Sequence, residues 1–568
     1  MLLFGASNGH SIRYNLVWLQ NFYSQLSHGD VYPRWLMGMN RGAGSPVFYF
    51  YAPLPFYILS APIYFLPEHA LTIQLAWGEM LLIALSGLSF FFYASRRFDL
   101  PTALIGSMFY MLLPYHFEID LWTRQDLGEL ANYIWIPLVL HHTDRAFERP
   151  HAPVGLAICY ALLVYSHLPS ALLFSVCLSA YVVIQLSKPG SRSGLLRFMS
   201  GISVGLLLSG LYWIPALLCQ PYIQVGKLWR LGFDFHLWFF PMTEWVRQNL
   251  YEFGHRLFTV IGVTVAIFSL CLLKIRRRHE FGIRGSLAGC IALMVTATFL
   301  MSFCSTRVWE DLPILWKVQF PYRLGIVVDL AAAIAILHLL QKCRISRDWL
   351  SVGAISTIVL LFGWTLITAD FESLLAPQMT VEYTSWLDGR VRDGVDAPEY
   401  ATRWGPSDEV LSNIEVRDSP IVSYDTSKAS VTVALWQARK IQLEVHAASG
   451  LRIGIHQFYF PNWHGGIVGG VVLPVQPSRT SGLMQIDLPA GTYRADLELV
   501  PLLPEVSGAT VTTLGGLLLV CGSIWNFRLR RRSAFESPFV SSGPGENKLP
   551  SLEKVPGSLS NPSIDLHT

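Results

Sequence analysis

Residues 114–129, PYHFEIDLWTRQDLGE, gather Glu118, Asp120, Arg124, Asp126 and Glu129 between two apolar runs. Ionisable side chains at the edge of an apolar segment are costly unless solvated or paired, so such a cluster is a functional candidate by default. Asp120 and Arg124 are four residues apart, and Asp126 and Glu129 three apart, so on a helix each pair shares a face. A carboxylate there can serve as a general base or help hold a divalent cation, and an arginine can grip a phosphate through two hydrogen bonds. The plain alternative is a solvated loop whose charges cap helices. Asp120 would then simply pair with Arg124, and Glu129 would favour the positive end of the apolar helix that it opens.

Other candidates are scattered. His10 lies in GHSIRYN, and Asp30 and Arg34 lie in HGDVYPRW among aromatic residues. His167 precedes Pro169 at the start of an apolar run and is also readable as a polar helix tip. Arg323 sits in VQFPYR at the mouth of another. The turn NRGAGSP (40–46) is too loose for a phosphate-binding loop and reads as a turn.

The elements that must carry these residues are apolar. Of 568 residues, 52% are hydrophobic and 14% charged, with mean hydropathy +0.40. Soluble domains carry about 25% charged residues, so the chain reads as a polytopic α-helical membrane protein. A net charge of +3 gives no footprint for nucleic acid. The eight cysteines lie in or beside apolar runs without a CxxC pair, which suits buried small residues.

Apolar runs predict about eleven spans: 70–94, 99–117, 127–141, 152–167, 169–187, 197–217, 257–273, 284–303, 322–340, 349–368 and 510–526. With alternating direction, Arg96-Arg97, Arg145 with Arg149, Lys188 to Arg197, Lys274 to Arg278, Lys342 to Arg347 and Arg528 to Arg532 all fall on the cytoplasmic side. Loops 118–126, 220–256 and 304–321 then face outward. Five regions follow. Residues 1–69 form an outer first loop with surface or re-entrant helices, and 70–368 the helical bundle. Residues 369–508 form an extracytoplasmic β-rich domain, 509–532 a last span with its basic stop, and 533–568 a disordered cytoplasmic tail. Four prolines interrupt the apolar stretch 47–67, which argues against a crossing there. The alternative is a cytoplasmic N-terminus and a true crossing. Alternation in VTVALW, KIQLEVHA, LRIGIHQFYF and GLMQIDLPAGTYRADLEL predicts antiparallel strands, with PAG as a hairpin turn.

Several motifs in order carry a resemblance: VYPRWLMGMNRGAGSPVFYFYAPLPFY (31–57), DLWTRQDLGELANYIWIPL (120–138), SHLPSALL (166–173), WEDLPILWKVQFPYR (309–323), and FYFPNWHG with LPAGTYR (458–465, 488–494). The chain resembles bacterial integral membrane proteins with the domain named "6-pyruvoyl-tetrahydropterin synthase-related", which belong with the GT-C glycosyltransferases. The resemblance implies a GT-C-like bundle in the bacterial cytoplasmic membrane, with its C-terminus in the cytoplasm. It implies a polyprenyl-phosphate sugar donor and a glycan, lipid or protein acceptor outside the cytoplasm. It also implies a site built from the first outer loop and the loop holding Asp120, Arg124 and Glu129. Asp120, Glu129, Asp30 and His10 are the candidate catalytic residues, and a divalent metal ion is a candidate cofactor. Arg124, Arg323, Arg34 and His167 are candidates for the donor phosphate or sugar. GT-C enzymes place an acidic residue early in the first outer loop; here Ser11 stands at that place, after His10. Two other classes remain: a non-catalytic protein that binds or assembles surface glycans, and a transporter. A transporter predicts two related halves with discontinuous helices, and the sequence has no visible internal repeat.

Overall fold

The computed structural model describes residues 6–7, 9–66, 70–149, 151, 153–187, 191–229, 232–276, 284–343, 394, 396–406 and 419–535. Within them the protein is mostly helical, with a separate β-sheet domain. Helix α1 (Ile12–Ser27) is amphipathic and buries Ile12, Leu16, Leu19 and Phe22, the spacing of one helical face. The proline-rich stretch breaks as its sequence demands: a short helix Val47–Phe50 ends at an extended Tyr51, and α2 (Leu54–Phe65) restarts after Pro53.

The bundle follows, with α3 (Leu71–Ala94), α4 (Leu100–Leu112), a π-helix (Tyr115–Arg124), α5 (Leu127–Glu148), α6 (Val154–Ser166) and α7 (Leu168–Leu186). Then come α8 (Ser191–Leu208), α9 (Gly210–Leu218), α10 (Tyr251–Arg276), α11 (Arg284–Met301) and α12 (Gly325–Cys343). Helix α13 (Leu503–Phe535) returns to the bundle after the β-domain. Among the described residues five helices are long and apolar enough to cross a membrane: Leu71–Ala94, Leu168–Leu186, Tyr251–Ile275, Pro321–Lys342 and Leu503–Arg528. The pair α8 and α9, bent by 68°, makes a sixth if it is one broken span.

The expected count of eleven is therefore not reached among the described residues. The expected span 349–368 and most of the tail 533–568 lie outside them. The runs at 99–117 and 152–167 become helices of 13 residues each, against the ~20 that a crossing needs. Apolarity reports burial, and a helix buried within the bundle is as apolar as one that crosses.

The β-domain is two antiparallel sheets face to face. Its strands are β1 (Val422–Ser423), β2 (Ala429–Gln437), β3 (Lys440–Ala447), β4 (Leu451–Phe458), β5 (Trp463–Ile467), β6 (Val471–Leu473), β7 (Gln476–Pro477), β8 (Leu483–Leu488) and β9 (Gly491–Leu499). One sheet has the order β1-β4-β8-β7, the other β2-β3-β9-β5-β6. Strands β8 and β9 flank the PAG turn but lie in different sheets, so the expected hairpin does not form. Ile441, Leu443 and Val445 of β3 are buried in one core with Ile453 and Ile455 of β4. That core also takes in Trp35, Tyr49 and Cys219 from the helical part.

The glycine-rich turn at 40–46 is where the two parts join. Its carbonyls meet β4: Phe458 N donates to Ala43 O (2.6 Å), and Gln457 Nε2 to Met37 O (3.2 Å) and to Gly42 O. Gly44 has φ +84, and a Cβ there would lie 2.6 Å from the Trp35 ring. The turn is a packing joint for the β-domain.

Asp396 ties this turn to α1. Its carboxylate accepts from Trp18 Nε1 (2.9 Å) and Ala397 N (2.8 Å) and bonds Ser45 Oγ. Burial raises its pKa to about 7, with the hydrogen bonds from Ser45, Ala397 and Trp18 pulling the other way. A carboxyl whose folded pKa lies above its unfolded value stabilises most at low pH and loses that contribution as pH rises through the folded value. Asp396→Asn keeps an acceptor for Trp18 and cannot ionise. Thermal melts from pH 4 to pH 8 should therefore show wild-type stability falling relative to Asp396→Asn, with most of the change complete by about pH 7; parallel profiles refute it.

A buried candidate active site at the head of α5

The centre of the cluster is one guanidinium. Arg124 closes the π-helix, and its Nη1 donates to Asp120 Oδ1 and Glu129 Oε2, both at 2.7 Å. Its Nη2 donates to Asp126 Oδ2 at 2.7 Å. The Arg124 guanidinium lies 5.2 Å from the centroid of the Tyr322 ring. All four charged groups are nearly or fully buried.

Local structure explains the convergence. Gln125, with φ 51, turns the chain between the π-helix and α5. Asp126 then caps α5, its Oδ1 accepting from Glu129 N at 3.1 Å. That places Asp126 and Glu129 on the same side of the helix start as Arg124. The end of the π-helix leaves carbonyls that need donors. The segment before α1 supplies them: Ser7 Oγ donates to Trp122 O (3.0 Å), His10 N to Thr123 O (2.9 Å) and Ser11 N to Arg124 O (3.1 Å). Asn15 Nδ2 donates to Gln125 O (2.8 Å), and Gln125 Nε2 to the buried Glu79 (3.0 Å).

Two more groups arrive from elsewhere. Arg323, in a 3-10 turn before α12, donates through Nη1 to Val318 O (2.9 Å). It reaches the cluster at longer range, with Nη2 3.5 Å from Asp126 Oδ2 and Nε 3.6 Å from Glu129 Oε2. Its Nε is buried and makes no hydrogen bond. His167 joins α6 to α7, with Nδ1 2.8 Å from Ser170 Oγ and its backbone O accepting from Asn132 Nδ2 (3.1 Å). Burial lowers the His167 imidazole to about 3, so it is neutral at physiological pH. Asp126 is held well below the usual carboxylate range: burial opposes its charge, and the guanidinium groups of Arg124 and Arg323 with the hydrogen bond from Glu129 N outweigh burial.

Asp126, Glu129 and His167 each present one ligand atom within 4.8 Å of the others, all buried. Two oxygens and an imidazole nitrogen suit Mg²⁺, Mn²⁺ or Zn²⁺. The contact of Ser170 with Nδ1 orients Nε2 for such a role. The residues fit a divalent ion, which would compete with Arg124 and Arg323 for the two carboxylates.

The sequence candidates divide. Asp120, Arg124, Glu129, Arg323 and His167 come together. His10 adjoins them through its backbone, with its side chain exposed. Asp30 accepts from Gln25 Nε2 (3.2 Å) beyond α1, and Arg34 pairs with Glu505 of α13 (3.6 Å), so neither joins the cluster. The reason is distal: Arg34 is drawn to a carboxylate far along the chain that its local sequence does not reveal. Asp126, paired with Glu129 by its spacing in the sequence but not among the candidate site residues, joins them as the cap of α5. Tyr115, whose Oη donates to Glu129 Oε1 (3.2 Å), carried no signal at all.

Gly128 sets the distance between α5 and His167. A Cβ there would lie 2.9 Å from Ser166 O and 3.0 Å from His167 Cδ2. Gly128→Ala should therefore force the α6–α7 junction outward and destabilise by ~1–3 kcal/mol, as overpacking does. Thermal melts of the purified protein check this, and an unchanged melting temperature refutes it.

No family model and no curated protein sequence matches the chain. Among solved structures it is similar to the arabinofuranosyltransferase AftD from mycobacteria, at 14% identity and TM-score 0.41. That alignment covers 68% of this chain and 27% of that one, so the chain spans about a quarter of the length of AftD.

Proposed function

We propose that the chain is a membrane glycosyltransferase of the GT-C kind. It would move a sugar from a polyprenyl-phosphate donor to a glycan, lipid or protein acceptor outside the bacterial cytoplasm. The observation that carries this reading is the asymmetry of the two arginines. Arg124 has three carboxylate partners at 2.7 Å. Arg323 meets the same carboxylates only at 3.5–3.6 Å and keeps a buried Nε without a hydrogen bond. A donor phosphate offers that nitrogen a charge-assisted bond.

Residual exposure supports a division of the remaining roles. Asp120 and Glu129 are fully buried, whereas Arg124, Asp126, His167 and Arg323 retain 6–9%. Asp126 and His167 are therefore the groups an acceptor can reach. Asp126, ionised, orients the acceptor hydroxyl and relays its proton to the departing phosphate oxygen as the hydroxyl oxygen bonds to the anomeric carbon. The bond from that carbon to the phosphate oxygen breaks, and the leaving phosphate carries its charge to Arg323. Asp120 and Glu129 fix Arg124, which holds Asp126 in place. A divalent ion on Asp126, Glu129 and His167 would supply charge to offset the phosphate and lower the acceptor pKa.

A second reading has its own observation. The three bonds of Arg124 satisfy it without any ligand, as in a structural ion-pair network. That suits a non-catalytic protein that binds or assembles glycans, and it agrees with Ser11 in place of the acidic residue.

Two predictions separate the roles. Arg323→Gln should lower affinity for a short-chain polyprenyl-phosphate sugar by about tenfold or more, the cost of ~1.4 kcal/mol or greater, with an unchanged fold by circular dichroism. Arg124→Gln should instead cost ~3–5 kcal/mol of stability, because it strands buried carboxylates. Equal effects of the two on stability would refute the division. Divalent ions should raise the melting temperature of wild-type protein but not of His167→Ala, as read by thermal shift with Mn²⁺ and Mg²⁺. An identical shift in both removes the metal role.

A further inference from the structure

A second set of buried charges lies where the β-domain meets α13. Glu505, in the first turn of α13, accepts from Arg439 Nη2 at 2.6 Å, from Tyr49 Oη at 3.1 Å and from the backbone N of Leu502 at 2.8 Å. Arg34 lies 3.6 Å from the same carboxylate and donates through Nη2 to Leu211 O at 2.8 Å. The Arg34 guanidinium lies 4.2 Å from the Tyr32 ring centroid. The Arg34 side chain is 5% exposed, yet its Nη1 has no hydrogen-bond partner. A buried cationic N–H left unmade is costly and calls for an anionic acceptor.

That residue heads an open cavity of ≈ 680 Å³. Beyond Arg34 and Glu505 the lining is almost wholly apolar, with Leu211 on one wall and Val506, Ala509, Leu514 and Leu517 of α13 on the other. The volume is within the range of small-molecule sites. From Glu505 to Leu517 the helix rises ~18 Å at ~1.5 Å per residue. That is close to half of the ~30 Å hydrocarbon core, the depth of one leaflet. Val506, Leu514 and Leu517 are half or more exposed, and α13 is long and apolar enough to span a bilayer, so the groove opens toward lipid. Small residues keep its inner edge: a Cβ on Gly508 would lie 2.7 Å from Gly210 O, and one on Gly515 2.7 Å from Leu208 N.

We propose that this groove holds one anionic phospholipid of the surrounding bilayer, its phosphate on Arg34 Nη1 and an acyl chain along α13. The site shares no residue with the Arg124 cluster, so the inference goes beyond the proposed transfer reaction and does not depend on it. Bound there, the lipid would bridge the first loop, the bent α8–α9 pair and α13, and so steady the base of the β-domain.

The test uses the full-length protein in phosphatidylcholine nanodiscs with and without phosphatidylglycerol. Phosphatidylglycerol should raise the wild-type melting temperature by several degrees, and native mass spectrometry should show one retained phosphatidylglycerol. Thr513→Trp and Ala509→Trp place an indole in the groove from exposed positions. They should melt like wild type in phosphatidylcholine alone and lose both the shift and the retained lipid. Arg34→Gln should lose the lipid as well. Equal shifts in wild type and the tryptophan variants would overturn the proposal. So would a shift from inorganic phosphate alone, retention of phosphatidylcholine in equal measure, or retention of farnesyl phosphate in place of phospholipid.

Discussion

Burying a guanidinium in an apolar bundle is tolerable only if carboxylates and hydrogen bonds replace the water it loses. At Arg124 this constraint organises the head of α5. Three carboxylates must converge on one cation, so the π-helix, the left-handed Gln125 and the cap at Asp126 must all keep their places. The segment before α1 in turn exists at that spot to satisfy the carbonyls that the π-helix leaves open. The result is a fixed charge frame, with Arg323 and His167 brought to its edge from other helices.

How far the sequence carries one toward this arrangement depends on distance along the chain. The pairing of Asp120 with Arg124 was legible because both lie on one helical turn, though the turn is a π-helix instead of an α-helix. Asp126 with Glu129 was legible for the same reason. The approach of Arg323 and His167 came from the motif resemblance and not from spacing, since each is brought in by packing between helices. Asp30 and Arg34 stand apart from the cluster, and the sequence does not reveal it because aromatic neighbours near a membrane boundary look alike at either place. Arg34 turns out to serve the junction with Glu505 and Arg439.

Fold-level legibility divides in the same way. Alternation located β3 to the residue, because one of its faces is buried and the other is not, whereas β4 ends two residues before its apolar run does and is buried on both faces from Ile455 to Phe458. Helix positions were equally plain, but crossing was not. Helices α4 and α6 are shorter than the ~20 residues that a crossing needs, and α4 keeps Leu100, Leu104 and Met108 exposed along one face. The NRGAG turn read as an ordinary turn, and it is one, but its carbonyls serve as the landing place for β4.

The placement of the charges within residues 120–129 bears on how the chain is made. Arg124 and its three carboxylate partners lie within ten consecutive residues, so the guanidinium finds its partners without waiting for distant parts of the chain. Three carboxylates against one guanidinium leave this segment with an excess of negative charge. Arg323 is translated some two hundred residues later. Its guanidinium, 3.5 Å from Asp126 and 3.6 Å from Glu129, then offsets part of that excess, so the charge balance of the site is completed only when the last helices of the bundle assemble.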